Sequence, residues 1–287
     1  MTVTEETAGG LAEEPRRRRR LPPMSVLPTL CTLGNLVCGF AAIPYASMPA
    51  EFTGPWGWSG LTCAGVLIFV GMLLDAVDGW IARLTNSSSE LGGQLDSLAD
   101  VVTFGVAPAW MMLRLVTTDV GLPIIGPEAD DALAKVVWAV AVVYLCCAAL
   151  RLARFNVETG SSVERSDSFR GLPSPGAAGA VTSLILLHQH VMAGRFGDDV
   201  PPIFARGAAL GLPFVTLLAA FAMVSAIPYA HVTNRYLSGS RSFTYVARLV
   251  VVLGLVMWFP QETLAVLFMS YLIAGPIGGM RHGRAAS

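Results

Sequence analysis

Residues 58–83 read WSGLTCAGVLIFVGMLLDAVDGWIAR. The first part is an almost unbroken apolar run, and about 20 such residues cross the hydrocarbon core of a bilayer. The run then meets two aspartates, Asp75 and Asp78, spaced i, i+3 and so on one helical face. Asp75 stands inside the apolar stretch, where an ionisable side chain is costly and points to function. This is a membrane helix with a chemically active end.

The rest of the chain fits that setting. Of its 287 residues 54% are hydrophobic and 14% charged, and the mean hydropathy is +0.60. A soluble domain carries roughly 25% charged residues. A disordered protein, a fibrous repeat and a typical cytosolic enzyme are excluded. Apolar segments recur at about residues 28–47, 58–80, 96–117, 132–153, 175–193, 203–229, 243–259 and 261–279. The expected fold is an all-α integral membrane protein, a polytopic bundle of about eight transmembrane helices. Residues 1–24 read as a disordered cytoplasmic tail carrying the run Arg16–Arg20. No A-x-A-like cleavage site follows the first apolar run, which argues against a secretory signal.

Charge sets the orientation. With the N-terminus inside, the cytoplasmic segments hold 15 of the 19 Lys and Arg residues. Lys135, Arg114, Arg195 and Arg206 fall on the other side, with most of the loop carboxylates. Both termini and the Asp75–Asp78 end are therefore expected to be cytoplasmic, in the cell membrane. No broad basic face exists, so nucleic acid is not an expected partner. The five cysteines lie in apolar stretches without metal-type spacing and read as packing residues.

A second carboxylate pair follows the first. Asp96 and Asp100, spaced i, i+4, open the next apolar segment, and Gly92 and Gly93 precede them. Two antiparallel helices joined by about 15 residues would bring all four aspartates together at one membrane edge. Four such carboxylates repel one another and resist desolvation, and Arg83 alone cannot neutralise them. Hard oxygen donors without nearby His or Cys favour Mg²⁺ or Mn²⁺. Two divalent cations would balance the charge, an arrangement suited to phosphoryl transfer. Helix capping would account for Asp96 alone, not for both pairs and the adjacent glycines. Gly79 permits close ligand approach, and Arg83 is placed to meet phosphate.

At these residues the sequence resembles the CDP-alcohol phosphotransferase family, whose signature is D-x₂-D-G-x₂-A-R-x₇₋₈-G-x₃-D-x₃-D. Asp75, Asp78, Gly79, Ala82, Arg83, Gly92, Asp96 and Asp100 match every fixed position. The resemblance implies a six-helix catalytic core within a membrane domain at 25–230. Two additional C-terminal transmembrane helices would then occupy 231–280, with a short tail at 281–287. It further implies that Asp75, Asp78, Asp96 and Asp100 ligate two metal ions and that Asp100 is the general base. Gly79, Ala82 and Arg83, with Ser89, would hold the CDP part of the donor.

Two other segments are similar to the serine-using branch of the family. One is Pro28-Thr-Leu-Cys-Thr32-Leu-Gly34-Asn35-Leu-Val-Cys-Gly39, which adds Thr32 and Asn35 to the expected CDP-diacylglycerol contacts; Thr29 stands where that branch usually has Asn. The other is Arg151-Leu-Ala-Arg154-Phe155-Asn156 with Phe169-Arg170-Gly171-Leu172-Pro173-Ser174-Pro175. Chemistry supplies an independent reason for arginines there, because free serine brings a carboxylate to a phosphorus already crowded with negative charge. Arg151, Arg154 and Arg170 are the expected serine-binding residues. The resemblance implies phosphatidyl transfer from CDP-diacylglycerol to L-serine, releasing CMP, by a homodimer in contact with membrane lipid. Inositol phosphate or glycerol phosphate as acceptor is the alternative within the family. A cation transporter is the alternative outside it, and would place acidic residues near the midplane of several spans.

Overall fold

Every regular element among the described residues of the computed structural model is helical. Those residues are 26–85, 90–122, 126–160, 171–191, 201–227 and 243–285. The tail at 1–24, Ser89 and Arg170 lie outside them. The helices are α1 (Val26–Ala46), α2 (Gly60–Leu84), α3 (Glu90–Asp100), α4 (Ala107–Val116), α5 (Ala132–Gly160), α6 (Ser174–His190), α7 (Pro202–Val224), α8 (Phe243–Trp258) and α9 (Pro260–Ala285). A π-helical turn, Val101–Val106, joins α3 to α4, and a second, Thr117–Gly121, ends that rod.

Among the described residues, eight helical rods thus stand where eight apolar segments were read. Five of them are long and apolar enough to cross a membrane: Val26–Ala46, Gly60–Leu84, Leu91–Gly121, Ala132–Val157 and Ile203–Val224. The helices α6 and α8 have 17 and 16 residues. At about 1.5 Å per residue each falls short of a hydrocarbon core about 30 Å thick. Helix α6 tolerates this because protein surrounds it; nearly every residue from Ser174 to Leu186 is buried.

The helix boundaries depart from the sequence reading in one place that matters. Helix α2 does not stop near residue 80 but runs to Leu84, and α3 already starts at Glu90. The polar residues beyond the apolar runs are still adequate helix formers, so the backbone ladder continues. Asp96 therefore lies well inside α3 rather than at a helix start, which removes capping as its role.

The π-helical turn has a readable cause. Pro108 lacks the N–H that would have donated to the carbonyl of Phe104, four residues back. The turn widens there, with the Ala107 N–H donating to Val102 O. The orphaned Phe104 carbonyl instead accepts a 2.9 Å hydrogen bond from the hydroxyl of Tyr144, a fully buried residue of α5. A buried carbonyl without a donor would be costly, and α5 supplies one.

Packing proceeds outward from α6. Helices α1 and α2 form an antiparallel hairpin, α2 and α7 pack on α6, and α5 packs on α7. Helix α9 runs antiparallel to α6: Glu262 meets His190 at 3.7 Å, and the rings of Phe268 and Tyr271 fill the space that side chains at Gly179 and Gly176 would need. Close helix approach through small residues is how membrane helices gain contact without a hydrophobic drive. At the same end as Glu262, buried His188 pairs with Asp119 at 3.0 Å and Ser59 donates to Gln189 at 2.8 Å. These contacts clamp the end opposite the aspartates.

Candidate active site

Helix periodicity places Asp75 and Asp78 on one face of α2, and Asp96 and Asp100 on one face of α3. Tertiary packing turns the two faces toward each other. Carboxylate oxygens of Asp75, Asp78 and Asp96 lie within 4.8 Å of one another. Asp75 is also within hydrogen-bonding reach of Asp96 and Asp100, which makes it the hub of the four.

Helix α1 orients two of them. The hydroxyl of Thr32 donates to Asp78 Oδ2 at 2.8 Å, and Asn35 Nδ2 donates to Asp100 Oδ1 at 3.1 Å. Asn35 is fully buried and Thr32 nearly so. Expected as contacts to the donor substrate, both direct their hydrogen bonds to aspartates here. Asn35 is fixed in turn, because Thr103 in the π-helical turn donates its hydroxyl to the Asn35 carbonyl at 2.9 Å. That approach needs a glycine opposite: a Cβ at Gly39 would overlap the Thr103 side chain and Cα.

Asp96 Oδ1 is buried and has no hydrogen-bond donor among the described residues. An orphaned carboxylate oxygen facing two further carboxylates suits a divalent cation, which would satisfy the lone pairs and offset the repulsion. The residues present therefore fit a hard metal ion at Asp75, Asp78 and Asp96, with Asp100 alongside.

The flanks carry the remaining expected residues. Gly79 and Ala82 are half-buried on α2 beyond the cluster, and Arg83 is exposed in the last turn. Open space lies where a side chain at Gly79 would project. Arg151 comes from α5, close enough to Asp100 and Asp75 to interact electrostatically with both. Its Nη1 donates to the hydroxyl of Ser174, the first residue of α6, at 2.9 Å. Arg154, one turn along α5, is exposed. The structure thus brings Thr32, Asn35 and Arg151 to the aspartates, with Arg83 and Arg154 farther out on the same helices.

Several neighbours were not among the expected site residues. Ser97 donates to Asn156 Oδ1 at 3.0 Å, tying α3 to α5. Thr103 and Tyr144 buttress the site from behind, and only Pro108, four residues after Phe104, hinted at them. Tyr271, near Arg151, comes from a helix outside every motif.

The model of the CDP-alcohol phosphatidyltransferase family matches residues 25–228. The chain is 32% identical over 257 residues to the CDP-diacylglycerol–serine O-phosphatidyltransferase of Helicobacter pylori (strain ATCC 700392 / 26695), covering 89% of this chain and 91% of that protein. It is 33% identical over 169 residues to the protein of the same name from Bacillus subtilis (strain 168), covering 59% of this chain and 80% of that one. Against the Mycobacterium leprae (strain TN) protein of that name the identity is 31% over 183 residues, 62% of this chain and 52% of that one. The first of these matches is longer than the family segment and so takes in part of the C-terminal helices.

Proposed function

The chain belongs to the CDP-alcohol phosphatidyltransferase family, and from that premise we propose that it is a phosphatidylserine synthase. It transfers the phosphatidyl group of CDP-diacylglycerol to the hydroxyl of L-serine and releases CMP. The observation that carries this reading is the carboxylate cluster between α2 and α3 with Arg151 at its edge. The names of the relatives support serine as acceptor.

Asp75, Asp78, Asp96 and Asp100 would hold two divalent cations, Mg²⁺ or Mn²⁺, which when bound neutralise the donor's diphosphate and the charge developing on CMP. The protein's own groups do the rest. Gly79, Ala82 and Arg83 bind the CDP moiety, with Arg83 against phosphate. Asn35 donates to Asp100 Oδ1 and orients the carboxylate that accepts the serine hydroxyl proton. Arg151, oriented by Ser174, receives the serine carboxylate. The serine oxygen attacks the β-phosphorus in line; the bond to CMP breaks, and CMP leaves with the electron pair. No covalent enzyme intermediate is involved.

The same reading takes 25–230 as the catalytic membrane domain, with α8 and α9 as two additional C-terminal helices. It places the aspartate end and both termini on the cytoplasmic side of the cell membrane, as the Arg distribution supports. Serine and CMP then exchange with water while the donor's acyl chains stay in lipid. The family resemblance supports a homodimer.

The test is CMP release by purified protein given CDP-diacylglycerol, Mg²⁺ or Mn²⁺, and L-serine, inositol phosphate or glycerol phosphate. Release with serine alone, abolished by EDTA, is expected. Release only with a phosphorylated acceptor overturns the acceptor, and metal-independent release overturns the mechanism. Labelled CMP returning to CDP-diacylglycerol in the absence of serine would contradict direct transfer.

A further inference from the structure

Arg151 is approached from three elements besides its own. Ser174 takes its hydrogen bond, Asp100 lies on the α3 side, and Tyr271 of α9 stands near enough to interact with it electrostatically. The position of Tyr271 is set by packing. Its ring lies against the α6 backbone at Gly176, beside Leu172, with Cε1 3.0 Å from where a Cβ at Gly176 would sit. Gly176 is two residues beyond Ser174, so one turn of α6 carries the hydrogen-bond partner of the guanidinium and the seat of the Tyr271 ring. The antiparallel register is held one turn away by Phe268 at Gly179 and at the far end by Glu262 with His190.

A phenol suits this place. Its oxygen dipole directs a guanidinium without cancelling the charge, whereas a carboxylate would form an ion pair and remove the attraction for an incoming anion. We infer that Tyr271, on the C-terminal helix beyond the segment matched by the family model, is a positioning residue that aims Arg151 at the acceptor's carboxylate. Helix α9 is thereby part of the acceptor site rather than an appendage. The inference rests on the proposed role of Arg151.

The experiment compares the parent protein with Tyr271→Phe, which keeps the ring packing and removes the hydroxyl. KM for L-serine should rise about 3- to 10-fold, the range of one polar interaction lost beside a charged group, with kcat and KM for CDP-diacylglycerol within about 2-fold. Serinol, which keeps the hydroxyl and ammonium of serine but lacks its carboxylate, should react equally with both proteins. An unchanged serine KM overturns the inference while leaving the synthase reading intact, and so does a parallel loss with serinol. If the parent instead uses glycerol phosphate or inositol phosphate, the serine reading fails; a raised KM for that anion still supports Tyr271, and an unchanged one overturns it. No CMP release with any acceptor overturns both.

Discussion

Thr32 and Asn35 show how a single side chain can serve a reaction through the carboxylate it holds. Each donates one hydrogen bond to one aspartate, which restrains the carboxylate rotamer. Removing such outer partners typically costs 10–100-fold in metal affinity or activity. Thr32→Val is nearly isosteric and should therefore raise the Mn²⁺ concentration for half-maximal CMP release by about 10-fold. Protein yield and the CDP-diacylglycerol KM should stay close to the parent's. A metal titration checks this, and an unshifted midpoint would show that Asp78 needs no such support. The aspartates were legible in the sequence because helical spacing is local. Their supporting donors were not, since Thr32 is 46 residues from Asp78 and Asn35 is 65 from Asp100.

Among the elements, the rod from α3 to α4 departs most from regular helix. Pro108 opens it, Tyr144 satisfies the freed Phe104 carbonyl, and Thr103 uses the wider turn to reach α1. Tyr144→Phe leaves that carbonyl buried and unpaired, at a cost of about 1–3 kcal/mol. Thermal unfolding in detergent should show a Tm lower by about 2–4 °C for each kcal/mol lost. The entry to α6 depends on a different device. Gly171 has φ +94°, its N–H donates to Ile227 O at 2.9 Å, and a Cβ there would overlap the Met223 carbonyl. Any L side chain is strained in that conformation. Gly171→Ala should thus displace Ser174, loosening Arg151 and raising the serine KM more than the donor KM. Steady-state kinetics with each substrate varied would reveal the contrary pattern. The α6 segment was legible as an apolar run, but nothing local told that it would sit at the centre of the bundle.

For the molecule as a whole, the aspartate cluster gathers three stretches of chain, two of which carry like charges. Helices α2 and α3 bring like charges into contact, and α1 spans both pairs. A ligand that binds only the folded state stabilises it by mass action, by about 2.7 kcal/mol at 100 times its Kd. Mg²⁺ or Mn²⁺ should therefore raise the Tm of the purified protein, and EDTA should reverse the rise. Asp96→Asn should abolish both the shift and CMP release. A metal-induced shift that survives Asp96→Asn would place the cation elsewhere.

The sequence by itself determined the membrane setting, the approximate positions of the helices, the four aspartates and the family. Each follows from residue type and from spacings within one or two helical turns, which the chain carries whatever its neighbours do. Only the tertiary structure decided that Thr32 and Asn35 turn toward carboxylates, that Tyr144 mends the break at Pro108, and that Ser174 and Tyr271 flank Arg151. Those partners stand far apart along the chain, 23 residues for Arg151 and Ser174 and 40 for Tyr144 and Phe104. In spans that are apolar nearly all round, periodicity does not say which face meets which helix. Small-residue contacts and buried hydrogen bonds choose the faces, and they exist only once the helices are packed.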